Sequence, residues 1–159
     1  MSDYGRRLVV DEDFDRALVD TIEAMRREGL DVVTQFDVGQ HIQRLVHHEC
    51  RRYVLLQVAS PDLMLRAIQT DVESGPCVPV TVAVYELPDG ETIVEVTEPF
   101  APVASDPAWR RAWPKLAAVA DSEGAQVARA LARIAPRATG HPDAATVSEN
   151  EPSRRRGLA

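Results

Sequence analysis

Cysteines, aromatic residues and long apolar runs are all scarce in this sequence. It contains two cysteines, Cys50 and Cys77, which is too few for the disulfide framework of a small secreted domain. Aromatic residues make up 5% of the chain, so we expect a core built from Val, Leu, Ile and Ala. No apolar run has the length of a membrane span, and the N-terminus has no apolar stretch typical of a signal peptide. These absences predict a soluble, cytoplasmic protein that does not bind membranes.

Positive charge is also in short supply. The chain has 18 Lys and Arg residues against 25 Asp and Glu residues, a formal net charge of -7. Non-specific binding to nucleic acid relies on basic side chains that replace counterions along the phosphates. We therefore predict no nucleic-acid partner. The eight glycines are scattered, and none forms part of a glycine-rich phosphate loop.

The apolar periodicity predicts alternating strands and helices within one domain. The elements are expected, in chain order, as a strand over 6–10, a helix with Phe14, Leu18, Ile22 and Met25 on one face, a strand over 30–36, a helix over 38–49, a strand over 53–59, a helix from Ser60, strands over 79–86 and 91–98, and a helical region over 105–135. This order predicts an α+β domain over residues 1–136 with a roughly five-stranded mixed or antiparallel sheet, helices packed on it and a C-terminal helix. Residues 137–159 lack apolar periodicity and are predicted to be a disordered tail.

Local signals support several of these boundaries. Gly29 is a typical stop for the first long helix, and Ser60 followed by Pro61 is a typical helix start. The residues "LPDG" between the last two strands supply the turn chemistry of a hairpin. The strand "YVLLQVA" is too apolar to lie at an edge, so we expect it inside the sheet. Pro114 and Gly124 should kink or split the last helical region.

Three segments carry a family resemblance. They are "DFDRALVDTIEAMRREGLDVVTQFDV", "RRYVLLQVASPDLMLRAI" and "GPCVPVTVAVYELPDG". Residues from Phe14 to about Leu131 resemble the family called domain of unknown function 302. The resemblance lies in the order of the elements, which is a helix, a Gly, a strand, a Tyr-led strand, a Pro-started helix and a hairpin. The resemblance implies a small α+β domain that forms a homodimer, and it implies no established activity.

Two positions depart from that family's pattern. The family often has Cys-Asn-Pro before the Pro-started helix and Pro-Cys-Asn at the hairpin strand, where this chain reads Ala59-Ser60-Pro61 and Pro79-Val80-Thr81. Neither Ala nor Val can become a thiolate or a soft metal ligand. Any thiol chemistry of relatives is therefore not expected at these two positions.

A weak metal signal lies near the middle of the chain. His41, His47, His48 and Cys50 fall within ten residues, and imidazole and thiolate groups bind zinc or copper. On a helix, His41 and His48 share a face but His47 does not, so exposed histidines followed by a partly buried Cys50 are the favoured interpretation. We predict no metal site and no cofactor. Cys77, between two prolines, is a candidate reactive thiol, although no histidine can be placed beside it from the sequence.

A ligand site is predicted near the Tyr-led strand and the hairpin. Its candidate residues are Arg51, Arg52, Tyr53, Ser60, Thr81 and Tyr85. The two arginines could bind an anionic group by forked hydrogen bonds, and the hydroxyls could donate or accept hydrogen bonds. The competing interpretation is that the arginines pair with surface carboxylates and that the hydroxyls cap or satisfy backbone groups.

No catalytic set is assembled in the sequence. The acidic residues Asp11, Glu12, Asp13 and Asp15 are better explained as a helix start, where the macrodipole favours negative charge. We therefore predict a dimeric domain that binds a small polar or anionic ligand or a protein partner, and we leave open whether it is an enzyme. The alternative is a thiol-dependent redox or metal-binding protein that uses Cys77 or Cys50 with a nearby histidine.

Overall fold

The computed structural model describes residues 5–134 and contains five strands and six α-helices in this range. The elements are β1 Arg6–Val10, α1 Phe14–Arg27, β2 Asp31–Asp37, α2 Val38–Val46, β3 Tyr53–Ala59, α3 Pro61–Thr70, a 3-10 helix Val72–Cys77, β4 Val80–Glu86, β5 Thr92–Thr97, α4 Ala101–Ala104, α5 Pro107–Ala112 and α6 Pro114–Arg133. None of these helices is long and apolar enough to cross a membrane. The predicted tail over 137–159 lies outside the described residues.

The five strands form one antiparallel sheet in the order β1-β5-β4-β3-β2. This arrangement confirms the predicted α+β class and the five-stranded sheet. It also shows that the strand "YVLLQVA" lies inside the sheet, because β3 pairs with β2 on one side and β4 on the other. The strands β1 and β2 are the two edges.

The main core lies between one face of the sheet and the helices α1 and α6. Alternate residues of the strands, such as Val54, Leu56 and Val58 on β3, are fully or almost fully buried there. From the helices, Met25 and Val127 join the same apolar cluster. A second apolar cluster joins α3 to the first half of α6. The core is built mainly from Val, Leu, Ile and Ala, as the composition predicts.

The predicted helix signals are found at three positions. Asp13 caps α1, because its side chain accepts a hydrogen bond from the backbone N–H of Arg16 at 3.0 Å. Gly29 follows this helix with φ of 80°, a left-handed conformation that glycine adopts without strain. Ser60 caps α3 and Pro61 is its first residue.

The helix α2 differs from its prediction in length and in exposure. It ends at Val46 rather than near residue 49, because His47 takes a left-handed conformation with φ of 56°. Two of its apolar positions are exposed, Leu45 at 61% and Val46 at 67%, whereas Val38 and Ile42 are half-buried. On α3, Leu63 and Ala67 are buried, but Ile68, which follows Ala67 directly, is 41% exposed.

The predicted break at Pro114 is found, but the one at Gly124 is not. Trp113 separates α5 from α6, and Pro114 begins α6. The helix then continues through Gly124 to Arg133. A Cβ atom at position 124 would lie 3.1 Å from Oε2 of Glu98, so the glycine allows that carboxylate to approach the helix. A close approach, rather than a kink, explains this glycine.

Candidate functional site

The face of the sheet opposite the main core carries most of the predicted ligand-binding hydroxyls. We call it the outer face and define it by Tyr53, Leu55, Gln57, Thr81, Ala83, Tyr85, Ile93 and Glu95, the residues that alternate with the core positions along β3, β4 and β5. The polar members are half-buried, whereas the core positions between them are buried. The alternation of side chains along neighbouring strands therefore brings these groups onto one surface.

Tyr53 and Tyr85 are direct neighbours across β3 and β4. Their rings are stacked, with centroids 5.1 Å apart and an angle of 11° between the planes. The hydroxyl of Tyr85 donates a hydrogen bond to Oε2 of Glu95 at 2.8 Å. The pair therefore presents apolar ring surface and polar groups side by side, a combination that is common where proteins bind ligands.

Both tyrosines are held in their neutral form. Burial raises the pKa of Tyr85 to about 12, and the hydrogen bond to Glu95 adds to this effect. Burial also raises the pKa of Tyr53, with a further contribution from the charge of Glu95. At neutral pH these hydroxyls act as hydrogen-bonding groups and not as bases.

A second polar pair lies further along the same two strands. Nε2 of Gln57 donates a hydrogen bond to Oγ1 of Thr81 at 2.8 Å, and the two residues are opposite each other in the β3–β4 register. Thr81 thus belongs to the outer face with Tyr53 and Tyr85. Three of the six predicted site residues therefore lie on the same face, although Leu55 and Ala83 stand between Thr81 and the tyrosine pair.

The two predicted arginines are used differently. Arg52 pairs with the carboxylate of Asp15, with one N–H···O distance of 2.7 Å, and its guanidinium lies 4.2 Å from the centre of the Phe14 ring. This hydrogen bond also lowers the pKa of Asp15, so both groups stay charged and mutually neutralised. Arg51 is exposed and donates a hydrogen bond to the backbone carbonyl of Leu87 at 3.3 Å. The partner in this bond is uncharged, so the bond does not neutralise the positive charge of Arg51.

Ser60 is not part of the outer face, because it caps the helix α3. It is buried, and its hydroxyl accepts a hydrogen bond from the backbone N–H of Leu63 at 3.4 Å. That contact is the cap of α3, which was the competing interpretation from the sequence. Arg52 and Ser60 therefore each have a partner within the folded domain that accounts for them.

The thiol and metal candidates are not assembled into a site in the described part of the chain. His41 contacts the ring of Phe36 at 5.0 Å and Arg44 at 3.2 Å, and Cys50 is exposed. Cys77 is half-buried against the second apolar cluster. Among residues 5–134, no group of three or more His, Cys, Asp or Glu side chains is arranged to hold a metal ion. The thiol alternative stays a prediction without a supporting contact.

Sequence reasoning missed two residues of the outer face and one neighbour. Gln57 and Glu95 were not selected, although each is the only strongly polar residue in the middle of an apolar strand. Arg7 is opposite Glu95 in the β1–β5 register and is exposed. The hairpin turn at "LPDG" would have predicted the register of β4 and β5, and with it the closeness of Glu95 to Tyr85.

Comparisons with known proteins agree with this architecture. A family model described as "Domain of unknown function DUF302" matches residues 7–134. The crystal structure of uncharacterized conserved protein DUF302 from Bacillus stearothermophilus superposes with a TM-score of 0.63 at 20% identity, over 81% of this chain and 99% of that chain. No curated protein matches the chain. Because the family model spans most of the chain and the fold agrees, this protein belongs to the DUF302 family, domains of unknown function.

Proposed function

We propose that the protein is a dimeric binding domain whose outer face takes a small polar or anionic ligand beside the tyrosine pair. The observation that carries the proposal is the stacked pair of Tyr53 and Tyr85 with Glu95 at one hydroxyl. Stacked aromatic rings offer a rigid apolar surface at little entropic cost, and the adjacent polar groups can orient a ligand.

The charge near this surface favours a polar or anionic ligand over an apolar one. Arg51 precedes Tyr53 by two residues at the start of β3, and Arg7 faces Glu95 from β1. Both guanidinium groups are exposed, so either could contact a carboxylate or phosphate of a ligand. Arg52 gives no such support, because Asp15 already neutralises it.

The ligand proposal is tested by thermal shift with a panel of small carboxylates, phosphates and neutral polar compounds. A compound that binds the native state raises the unfolding temperature by mass action. We expect the shift to vanish in Arg51→Ala and in Tyr85→Phe. The matched control is Arg66→Ala, which removes an exposed arginine from α3, an element outside the outer face. Equal shifts in all four proteins would contradict binding at the tyrosine pair.

The dimer part of the proposal is supported by exposed apolar side chains on β2 and α2. Phe36 on β2 is 42% exposed, and Leu45 and Val46 on α2 are more than half exposed. Apolar side chains grouped on neighbouring elements are typical of surfaces that bind another protein chain. A second copy of the chain would remove them from water, as the family resemblance implies.

Sedimentation at micromolar concentration tests the dimer. We expect the wild type to be a dimer and Leu45→Glu to be a monomer, because a charge would be buried in the interface. Leu65→Glu is the matched control, since Leu65 is 55% exposed on another helix, α3. A monomeric wild type, or a dimer that tolerates Leu45→Glu, would contradict this assignment.

A further inference from the structure

Glu123 is a carboxyl group buried between the C-terminal helix and the sheet. It lies in the middle of α6 and is 2% exposed. A buried carboxylate is costly unless it is paired, and the common alternative is that the group keeps its proton. The surroundings of Glu123 therefore decide its charge.

The charged groups next to it belong to the ends of β5 and β1. Nε of Arg6 lies 2.6 Å from Oε1 of Glu98, whose side chain is 10% exposed. A Cβ atom at Gly124 would lie 3.1 Å from Oε2 of Glu98 and 3.7 Å from an Arg6 nitrogen, so this ion pair packs directly against α6 beside Glu123. Glu98 thus lies beside Glu123 and is already paired with Arg6.

The side chains that α6 itself places next to Glu123 are uncharged. The helix positions three and four residues away from Glu123 are Val119, Ala120, Gln126 and Val127, and α4 consists of uncharged residues. On α1, α3 and α5, the charged side chains include Asp20, Asp62 and Arg110, which pair with Arg16, Arg66 and Asp121. The negative charge that acts on Glu123 is that of Glu98, which Arg6 holds beside α6.

We propose that protonation of Glu123 stabilises the docking of α6 against the Arg6–Glu98 pair at the ends of β1 and β5, so that this contact is a pH-sensitive element of the fold. If the proton leaves, Glu123 becomes a second negative charge beside Glu98 in a contact that excludes most water. The contact then opens more readily, because opening returns the charge to solvent.

The direction of the pH effect follows from the two states of the carboxyl. Burial, and then the charge of Glu98, raises the pKa of Glu123 to about 8, whereas the ordinary value is 4.5. Between these values the docked state holds one proton more than the opened state, so docking weakens as pH rises through this window and levels off above it. One linked proton makes opening roughly tenfold more favourable for each pH unit.

The full chain is titrated by carboxyl NMR, and hydrogen exchange of the α6 amides is followed over the same pH range. We expect Glu123 to titrate near pH 8 and α6 to lose protection across the window, beyond the intrinsic pH dependence of exchange. In Glu98→Gln the midpoint should shift to lower pH, because a negative charge is lost and Arg6 is freed.

Glu123→Gln supplies the matched comparison, because a neutral amide mimics the protonated acid. Its α6 amides should show only the intrinsic pH dependence, and Glu49→Gln, at an exposed glutamate in the loop after α2, should behave as wild type. A Glu123 midpoint near the ordinary 4.5 would overturn the proposal. So would the same pH-dependent loss of protection in Glu123→Gln. If that variant does not fold, the wild-type titration and Glu98→Gln still decide.

Discussion

Glu28, the residue after α1, accepts a hydrogen bond at 2.6 Å from Nε of Arg133, the last residue of α6. Nε of Arg129 donates to the other carboxylate oxygen, also at 2.6 Å. The side chain of Glu28 is only 7% exposed. One carboxylate thus joins the first and the last helix of the described chain, which are more than 100 residues apart in sequence.

Replacing Glu28 should therefore lower stability in a pH-dependent way. The hydrogen bonds from Arg129 and Arg133 lower the pKa of Glu28, so its contribution is present above its ordinary value and is lost as pH falls through the lowered one. We expect Glu28→Gln to reduce the unfolding temperature by several degrees at neutral pH and to match wild type in strong acid. Glu23→Gln, which affects only an exposed pair with Arg27, is the control. Equal losses in the two variants would contradict the prediction.

Gly39 should not tolerate a side chain. A Cβ atom there would lie 2.7 Å from the backbone oxygen of Arg51, a contact that requires the main chain to shift. Gly39→Ala should cost about 1–3 kcal/mol in the free energy of unfolding, measured in urea. The control is Gly75→Ala, whose Cβ would meet only the Ile68 side chain at 3.7 Å. A loss in the control as large as in Gly39→Ala would mean that close approach is not the cause.

The hydroxyl of Tyr85 should contribute more to stability than that of Tyr53. Tyr85 donates to a carboxylate at 2.8 Å, and removing such a bond costs about 1–2 kcal/mol. We expect Tyr85→Phe to unfold at lower urea than Tyr53→Phe. Spectroscopic titration gives a second readout, because burial raises the pKa of Tyr85 to about 12 and its ionisation should come late. A Tyr85 that ionises with ordinary tyrosines would contradict this account.

Two neighbouring leucines of β3 should respond differently to truncation. Leu56 is fully buried in the main core, whereas Leu55 lies half-buried on the outer face. Leu56→Ala should cost about 2–5 kcal/mol in the free energy of unfolding, and Leu55→Ala clearly less. Denaturant unfolding of both variants checks the assignment of the two faces. Equal costs, measured at a concentration where both variants are monomeric, would mean that the faces are wrongly assigned.

The elements that could be predicted are those whose signals are local. Asp13, Gly29 and Ser60 each act through their own backbone neighbours, so their helix boundaries follow from a few adjacent residues. The hairpin of β4 and β5 is equally local, since its turn residues lie between the strands they join. On this basis Thr81 and Tyr85 could be placed on the same face of β4, with Ala83 between them.

The features that could not be predicted depend on contacts between distant parts of the chain. The partner of Arg52 is Asp15, which lies 37 residues earlier, and the groups beside Glu123 come from β1 and β5. The reason for glycine at position 124 is also a distant contact, because the side chain of Glu98 occupies the space that a Cβ atom would fill. The exposure of Leu45 had no local signal either, since a helix pattern shows which residues share a face but not whether anything packs against it.

The register between β2 and β3 shifts at Val33. Val32 pairs with Val58, and Thr34 pairs with the adjacent Gln57, so Val33 is an extra residue in β2. Since β2 is an edge strand, its outer backbone groups could otherwise act as a template for strands of other molecules. A bulge bends the strand and breaks the regular spacing of those groups. By this principle the extra residue makes edge-to-edge pairing less favourable, and we expect a variant that lacks the exposed Val33 to associate more readily through β2.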